Sequence, residues 1–410
     1  MNSNSLISRV AHVYFIAFLL LFFSGFYLTE YSGSSFSSLL RFYLLVGVFL
    51  LVALKVSSKL EWKYFLFNNK FFYIKALLFS FLLLFLYMIL TSVFYGDLVV
   101  LRRAFVLMVF LFIVWIYSAY LDFNYTYLIY ALGFFGFFVG FLYLYEYLTL
   151  SGFSFSGYRS NRVQSTGFSW LASYDNTITA ALHVSFLCVA ALWGLFNSKS
   201  KIVIAFFYLT FFILLAAIFV TFARTAWIAV STSLLIFFIF EFKRNKLKVM
   251  AVYGVLAILA VLYLSLFYSS DFARGLTYRD TIWIGLLSNL QSAKDWMFGM
   301  GPAASVSFVK LPNGAFAVHA HNIYVETIYR NGLFGLILLL SLIFLVVRNL
   351  VLSINKKESV FFIAIICGGS VAMFFDFSNL IYSPNLVWLW LWFPTAVSLS
   401  ARKKSHLNLF

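Results

Sequence analysis

The chain has 410 residues, of which 64% are hydrophobic and only 10% are charged. A soluble domain carries roughly 25% charged residues, so this composition excludes a single water-soluble globule. The formal net charge of +16 would fit a nucleic-acid binder, but the basic residues are scattered between apolar segments and do not form one domain. Composition therefore predicts an integral membrane protein.

Apolar stretches recur along the whole chain, each long enough to cross roughly 30 Å of hydrocarbon as a helix. Runs such as residues 77–90 do not alternate between apolar and polar residues, which argues against a β-barrel. We predict one polytopic all-α domain over residues 1–410 with about 12 transmembrane helices. The predicted spans are residues 11–28, 39–56, 73–95, 99–120, 124–149, 170–195, 201–222, 225–241, 248–268, 332–347, 359–377 and 383–399.

The first span is interpreted as a retained helix and not as a signal peptide. Its apolar run, residues 11–28, is long for a signal-peptide core and is followed by no small-residue cleavage site. We therefore expect the N-terminus to lie in the cytoplasm, and with twelve spans the C-terminus lies there too.

The apolar stretch of residues 202–240 is about twice the length that one crossing needs. Its only polar break lies around residues 221–225, so we predict a tight turn that brings Arg224 to the membrane edge. An arginine there is costly unless it is paired or solvated, which indicates an anion as its partner. The alternative is a structural salt bridge, for instance to Asp175 or Asp376.

The longest hydrophilic segment, residues 269–320, joins the ninth and tenth spans as an outer loop. Between residues 281 and 296, the apolar residues Ile282, Leu286, Leu290 and Ala293 recur at helical spacing. This spacing predicts one interfacial helix, ended by the glycines and proline of residues 298–302. Such a loop could cover a cavity, or it could be an ordered cap without chemistry.

The basic residues differ between the two predicted faces. With a cytoplasmic N-terminus, 18 of the 29 lie inside, as the positive-inside rule requires. Nine of the remaining 11 are arginines, against four of the inner 18. The outer cations are Arg41, Arg102, Arg103, Arg159, Arg162, Arg224, Arg274, Arg279, Lys294, Lys310 and Arg330. Because a guanidinium group binds phosphate oxygens through two hydrogen bonds, the outer face is predicted to bind phosphate.

Two of the five histidines, His319 and His321, lie where the outer loop re-enters the membrane. An imidazole with a pKa near 6.5 can act as a general base towards a sugar hydroxyl. The alternative is that His321 or Asn322 only caps the incoming helix.

Metal binding by the two histidines with Glu326 is a third interpretation, but the spacing is unspecific. No Asp-x-Asp pair occurs among the 13 acidic residues. We therefore predict no metal and no cofactor, with arginines neutralising the phosphates. Among those arginines, Arg279 stands beside Asp280, and Arg159 and Arg162 lie in the loop after the fifth span.

His321, Asn322, nine residues, Gly332, two residues and Gly335 together resemble the His-Asn-x9-Gly-x-x-Gly signature of bacterial O-antigen ligases. Residues 223–227, 279–283 and 298–301 also resemble conserved blocks of the O-antigen ligase/polymerase superfamily. The resemblance covers roughly residues 200–340. It departs at Leu336, where ligases usually have threonine or valine, which slightly favours a polymerase.

The resemblance implies a GT-C-like glycosyltransferase of the Gram-negative inner membrane with a periplasmic active site. This enzyme would move O-antigen from undecaprenyl pyrophosphate to lipid A-core oligosaccharide in lipopolysaccharide biosynthesis. It implies that His321 is the catalytic base and that Arg224 and Arg279 bind the donor pyrophosphate. Possible additional site residues are His319, Asn322, Arg159 and Arg162.

Two alternatives remain open at this point. An O-antigen or exopolysaccharide polymerase uses the same donor with a carrier-linked acceptor. A lipid-linked oligosaccharide transporter would also need cations and a cavity, but transporters often have broken helices and repeated halves. Here all four prolines lie in or after the outer loop, and no repeat is evident, which favours an enzyme.

Overall fold

The computed structural model describes residues 3–28, 34–56, 72–152, 162–272, 278–312, 314–317, 319–353, 357–377 and 379–400. Within these ranges the regular elements are helices. In chain order they are α1 (Ser3–Tyr27), α2 (Ser34–Val56), α3 (Phe72–Phe94), α4 (Leu98–Tyr120), α5 (Thr126–Leu150), α6 (Thr177–Asn197), α7 (Lys201–Thr221), α8 (Arg224–Glu241), α9 (Lys246–Phe272), α10 (Arg279–Ser288), α11 (Ala293–Phe298), α12 (Ile323–Leu352), α13 (Glu358–Ala372), a π-helical turn (Trp388–Trp392) and α14 (Phe393–Ser400).

The prediction of an all-α integral membrane protein is confirmed. In the described part of the chain, nine helices are long and apolar enough to cross a membrane, namely α1 to α8 and α12. The other three predicted spans fall on α9, on the shorter apolar helix α13, and on the π-helical turn with α14.

Helix α6 lies at the centre of the bundle. Almost all of its residues are buried, and it packs against α5, α7 and α8. Small residues make this close packing possible: a Cβ added to Gly133 of α5 would lie 3.3 Å from the backbone of Ala191 in α6. Other spanning helices leave apolar side chains exposed for lipid.

Three helices begin with an Asn or Asp that accepts hydrogen bonds from the first turn. Asp97 caps α4, Asn176 caps α6, and Asn322 caps α12. The Asn176 cap makes α6 begin at Thr177, seven residues later than the predicted span.

The helix predicted over residues 281–296 is in fact two helices, α10 and α11. The chain leaves the helix after Ser288, and Ser292 then caps α11 with a reciprocal bond to Asp295. Three of the four predicted apolar positions, Ile282, Leu286 and Leu290, are buried, whereas Ala293 is exposed. They form a hydrophobic cluster of the loop with Val306, Val309, Ala317, Ala320 and Tyr329.

Helix α12 begins at Ile323, nine residues before the predicted tenth span, and bends at Gly332 (φ 66°, ψ −176°). At this bend it crosses the end of α11. A Cβ added to Gly332 would lie 2.2 Å from Met297 O, and one added to Gly299 would lie 2.4 Å from Arg330 C. The backbone groups Met300 N and Gly301 N donate to the carbonyls of Tyr329 and Arg330 at 2.8 and 3.0 Å. The two glycines therefore allow a backbone contact that joins the loop to α12.

Candidate active site

The turn between α7 and α8 lies where the sequence predicts it. Phe222 adopts a left-handed conformation (φ 53°) after the last residue of α7, and Arg224 is the first residue of α8. Thr221 stabilises the turn, because its hydroxyl accepts from Ala223 N at 3.3 Å. The fold thus presents Arg224 at one end of the bundle, which we call the site face.

Arg162 lies against the same turn. Its Nε donates to Thr221 O at 3.1 Å, and Nη2 donates to Phe222 O at 3.4 Å. A cation is favourable at the carbonyl end of a helix, so Arg162 stabilises the end of α7. Its guanidinium also supports the backbone that carries Arg224.

The His-Ala-His segment is held from both sides at Ala320. Glu326 Oε2 accepts from Ala320 N at 3.3 Å, and Trp283 Nε1 donates to Ala320 O at 2.9 Å. The buried Glu326 also pairs with Arg330, whose Nε lies 3.0 Å from Oε1. The peptide units on both sides of Ala320 are therefore fixed, which gives the two histidines a defined position.

His321 itself adopts a left-handed backbone conformation (φ 51°) immediately before α12. Asn322, and not His321, is the capping residue, because its Oδ1 accepts from Tyr324 N and Val325 N at 2.9 and 3.1 Å. The capping interpretation is therefore correct for Asn322 only.

The ring of His321 bonds to Asp376, a residue that follows α13. Nδ1 of His321 lies 3.0 Å from Oδ1 of Asp376, whose side chain is only 9% exposed. A carboxylate can only accept, so Nδ1 carries the proton and Nε2 of the neutral ring has the free lone pair. Sequence reasoning named Asp376 only as a potential partner of Arg224. The sequence did contain one signal for this partner, because Asp376 is an acidic residue at the end of a predicted span, on the same predicted face as the histidines.

His319 lies against His321, with ring centroids 3.8 Å apart. The pKa of His319 is lowered to about 4, first by burial and then by the neighbouring His321 and Arg279, against the opposing effect of Asp376. His319 is therefore uncharged at neutral pH.

A cavity of about 250 Å³ at the site face brings the main candidates together. Its lining includes Arg162, Arg224, Arg279 and His321, with Ile282 and Leu311 of the outer loop among the apolar walls. Arg279 enters this lining as the first residue of α10. His319 and Asn322 stand beside the cavity, and Arg159 lies outside the described residues.

Within the described residues, His319, His321 and Asp376 have potential metal-ligating atoms within 4.8 Å of one another. The set differs from the predicted one, because Glu326 pairs with Arg330 and Asp376 takes its place. Two imidazoles and one carboxylate are chemically able to hold a divalent ion.

The helical bundle defines an all-α integral membrane protein, and a cavity lined by three arginines lies at one end of it. A family model described as O-antigen ligase matches residues 209–340, less than half of the chain. Residues 209–340 are therefore similar to O-antigen ligases, and the resemblance seen in the sequence is confirmed. The matched region includes Arg224, Arg279 and His321, whereas Arg162 and Asp376 lie outside it. No curated protein sequence matches the chain.

Proposed function

We propose that the protein is an O-antigen ligase of the Gram-negative inner membrane. It transfers polysaccharide from undecaprenyl pyrophosphate to lipid A-core oligosaccharide on the periplasmic face, in lipopolysaccharide biosynthesis. One observation carries this proposal: an imidazole bonded to a buried carboxylate lines the same cavity as three arginines. The family match supports the glycosyl-transfer class.

His321 is the general base in this mechanism. With Nδ1 donating to Asp376, Nε2 accepts the proton of the acceptor hydroxyl as its oxygen attacks the anomeric carbon of the donor. The imidazolium that forms is stabilised by the Asp376 carboxylate.

Arg224 and Arg279 act on the leaving group. As the bond between the anomeric carbon and the pyrophosphate oxygen breaks, its electron pair passes to the pyrophosphate, and the guanidinium groups stabilise the growing charge. A single displacement of this kind inverts the anomeric carbon. The donor is already activated, so the reaction needs no nucleotide, and in this proposal the arginines take the place of a metal.

The size and position of the cavity fit a lipid-linked donor. About 250 Å³ can hold a diphosphate with the first sugar, and the ends of spanning helices keep it at the membrane surface, where a polyprenyl chain can remain in lipid. With cytoplasmic termini, this face is periplasmic. A polytopic membrane enzyme with a lipid-linked donor corresponds to the GT-C type.

The test is the His321→Ala variant, purified in detergent and supplied with lipid-linked donor and acceptor. We expect loss of transfer with donor binding retained, because the arginines remain. His12→Ala, which changes an exposed histidine of α1, is the matched control and should transfer normally. A fully active His321→Ala protein would remove the assignment.

The second candidate within the same class is the polymerase. Leu336 favours it, because ligases usually have threonine or valine at this position. Deleting the gene separates the two activities. Loss of a ligase leaves long chains on the carrier lipid, whereas loss of a polymerase leaves single repeats attached to the core.

A transporter of lipid-linked oligosaccharide is the candidate from another class. The assay with purified protein distinguishes it, because an enzyme forms a new glycosidic bond in detergent. Movement of the lipid across a bilayer without a new bond would instead establish transport.

A further inference from the structure

Three arginines that the mechanism does not use line a second cavity. Arg41 comes from α2, and Arg102 and Arg103 come from the second turn of α4. The segment before the π-helical turn closes the cavity with Tyr382. We call this cavity the arginine cleft. Its complete lining is Ser37, Arg41, Arg102, Arg103, Val106, Tyr382, Ser383, Pro384 and Trp388.

The side chains of the arginine cleft are held before any ligand binds. Arg41 Nε donates to Ser37 O, and its Nη2 donates to Ser38 Oγ, both at 3.0 Å. The guanidinium of Arg103 lies 4.1 Å from the centre of the Tyr382 ring. Little rotational freedom is left to lose when an anion binds these two groups.

The loop that supplies Tyr382 is also fixed. Trp388 Nε1 donates to Tyr382 O at 3.2 Å, and Trp392 Nε1 donates to Leu380 O at 3.1 Å. Both tryptophans are buried, so the loop is joined to the core of the bundle.

The charge of the arginine cleft favours binding of an anion. Three guanidinium groups share one small cavity, and among the described residues that line it there is no carboxylate. The carboxylate of Asp97, immediately before α4, accepts from Val99 N and Val100 N as a helix cap. Because like charges close together repel in a partly desolvated site, a bound anion would stabilise the cluster.

The volume of the arginine cleft selects among anions. It is about 40 Å³, against about 250 Å³ for the cavity at His321. A single phosphate group is smaller than a sugar diphosphate, so the smaller cavity favours a single phosphate group.

The arginine cleft opens at the site face. Tyr382 lies six residues after Asp376, the partner of His321, on the segment between α13 and the π-helical turn. Tyr95, between α3 and α4, donates to Gly299 O of the outer loop at 3.3 Å, so α4 also begins beside this loop. Clustered arginines at the ends of spanning helices lie at the depth of lipid headgroups, where they attract anionic lipids.

We propose that the arginine cleft binds a phosphate group carried by a lipid in the adjacent leaflet. We further propose that this contact holds a phosphorylated, lipid-anchored acceptor beside the His321 cavity. The second statement rests on the proposed function, whereas the first depends only on the cleft.

The binding test uses the full chain in detergent and short-chain phosphatidic acid as the probe, with short-chain phosphatidylcholine and inorganic phosphate as comparisons. We expect the phosphatidic acid to bind most tightly. Arg102→Gln with Arg103→Gln should weaken it about ten-fold or more, the effect of losing charge-assisted hydrogen bonds. Arg244→Gln, which changes an exposed arginine at the end of α8, is the matched control and should not alter binding.

Unchanged affinity in the double variant would overturn the proposal. Binding of inorganic phosphate without binding of the lipid would show a free-anion site and would also overturn it. If the double variant does not fold, Arg102→Gln alone serves, because that side chain is exposed, and it should still weaken binding several-fold.

The acceptor assignment is tested by steady-state transfer. We expect the double variant to raise KM for the acceptor while kcat and KM for the donor stay unchanged. A normal acceptor KM together with lost lipid binding would overturn the acceptor assignment only. An inactive wild-type protein that still binds phosphatidic acid would contradict the proposed function and leave the lipid-phosphate site supported.

Discussion

Nδ1 of His321 lies 3.0 Å from Oδ1 of Asp376, although the two residues are 55 positions apart in the chain. Asp376 follows α13, and His321 ends the outer loop, so the pair forms only when α12 and α13 pack together. Their backbones also meet, because Ile323 N donates to Met373 O at 3.0 Å. The orientation of the imidazole therefore depends on the packing of two helices.

Replacing Asp376 by asparagine is expected to lower kcat for transfer by about 10²–10⁴-fold, the usual contribution of an oriented general base. The asparagine amide can donate to Nδ1, which would place the proton on Nε2 and remove the base. Steady-state transfer by the purified variant measures the effect. Asp122→Asn, at an exposed aspartate between α4 and α5, is the control, and an Asp376→Asn enzyme with normal kcat would contradict the role.

Arg224→Lys keeps the positive charge but replaces the planar guanidinium group with an ammonium group. We expect kcat/KM for the donor to fall about ten-fold or more, because two parallel hydrogen bonds to phosphate are lost. Arg244→Lys, at the exposed end of α8, makes the same chemical change away from the cavity and should have no effect. Equal activity of both variants would indicate that Arg224 does not bind the donor phosphate through two parallel hydrogen bonds.

Gly332→Ala is expected to destabilise the protein by roughly 2 kcal/mol or more, since it adds strain at positive φ. The new Cβ would also lie 2.2 Å from Met297 O. Thermal unfolding in detergent measures the loss. Gly254→Ala in α9 is the matched control, because no neighbouring atom lies within 4 Å of its added Cβ, and it should be neutral or slightly stabilising.

The lowered pKa of His319, about 4 against 6.5 for a free imidazole, predicts a pH dependence of stability. Between these two values the unfolded chain binds a proton that the folded protein excludes, so stability falls as pH falls from about 6.5 towards 4. His319→Gln should reduce this slope in thermal unfolding measured across the same range. A variant with an unchanged slope would show that His319 does not cause it.

Chelation of divalent metals is expected to leave transfer unchanged, because arginines and not a metal are proposed to neutralise the pyrophosphate. The measurement is the rate after dialysis against EDTA, with and without added Mg²⁺, Mn²⁺ or Zn²⁺. Loss of activity that one of these ions restores would assign His319, His321 and Asp376 as metal ligands.

The helices and the turn at Arg224 could be predicted from sequence because both depend on local pattern. Long apolar runs leave lipid-spanning helices as the stable solution, and the polar break between residues 221 and 225 interrupts one of them. The start of α12 was missed for a physical reason. Glu326 and Arg330 look like loop residues, but they stand one helical turn apart and neutralise each other, with Glu326 buried and Arg330 partly buried.

The sequence could not predict that Asp376 pairs with His321, because this contact depends on tertiary packing alone. The break of the predicted interfacial helix was missed because apolar spacing continues through Leu290, although the chain leaves the helix at Asn289. By contrast, the signature glycines were recognised from their spacing, and the structure supplies the reason for Gly332: its backbone touches that of Met297.

The crossing of Gly299 and Gly332 also limits how the cavity can be reached. A loop that swung outward as a hinged lid at this point would have to break the hydrogen bonds from Met300 N and Gly301 N to the bent part of α12. This part of the outer loop therefore stays in place against α12. A lipid-linked molecule would have to enter the cavity laterally, between neighbouring helices, without displacing the loop.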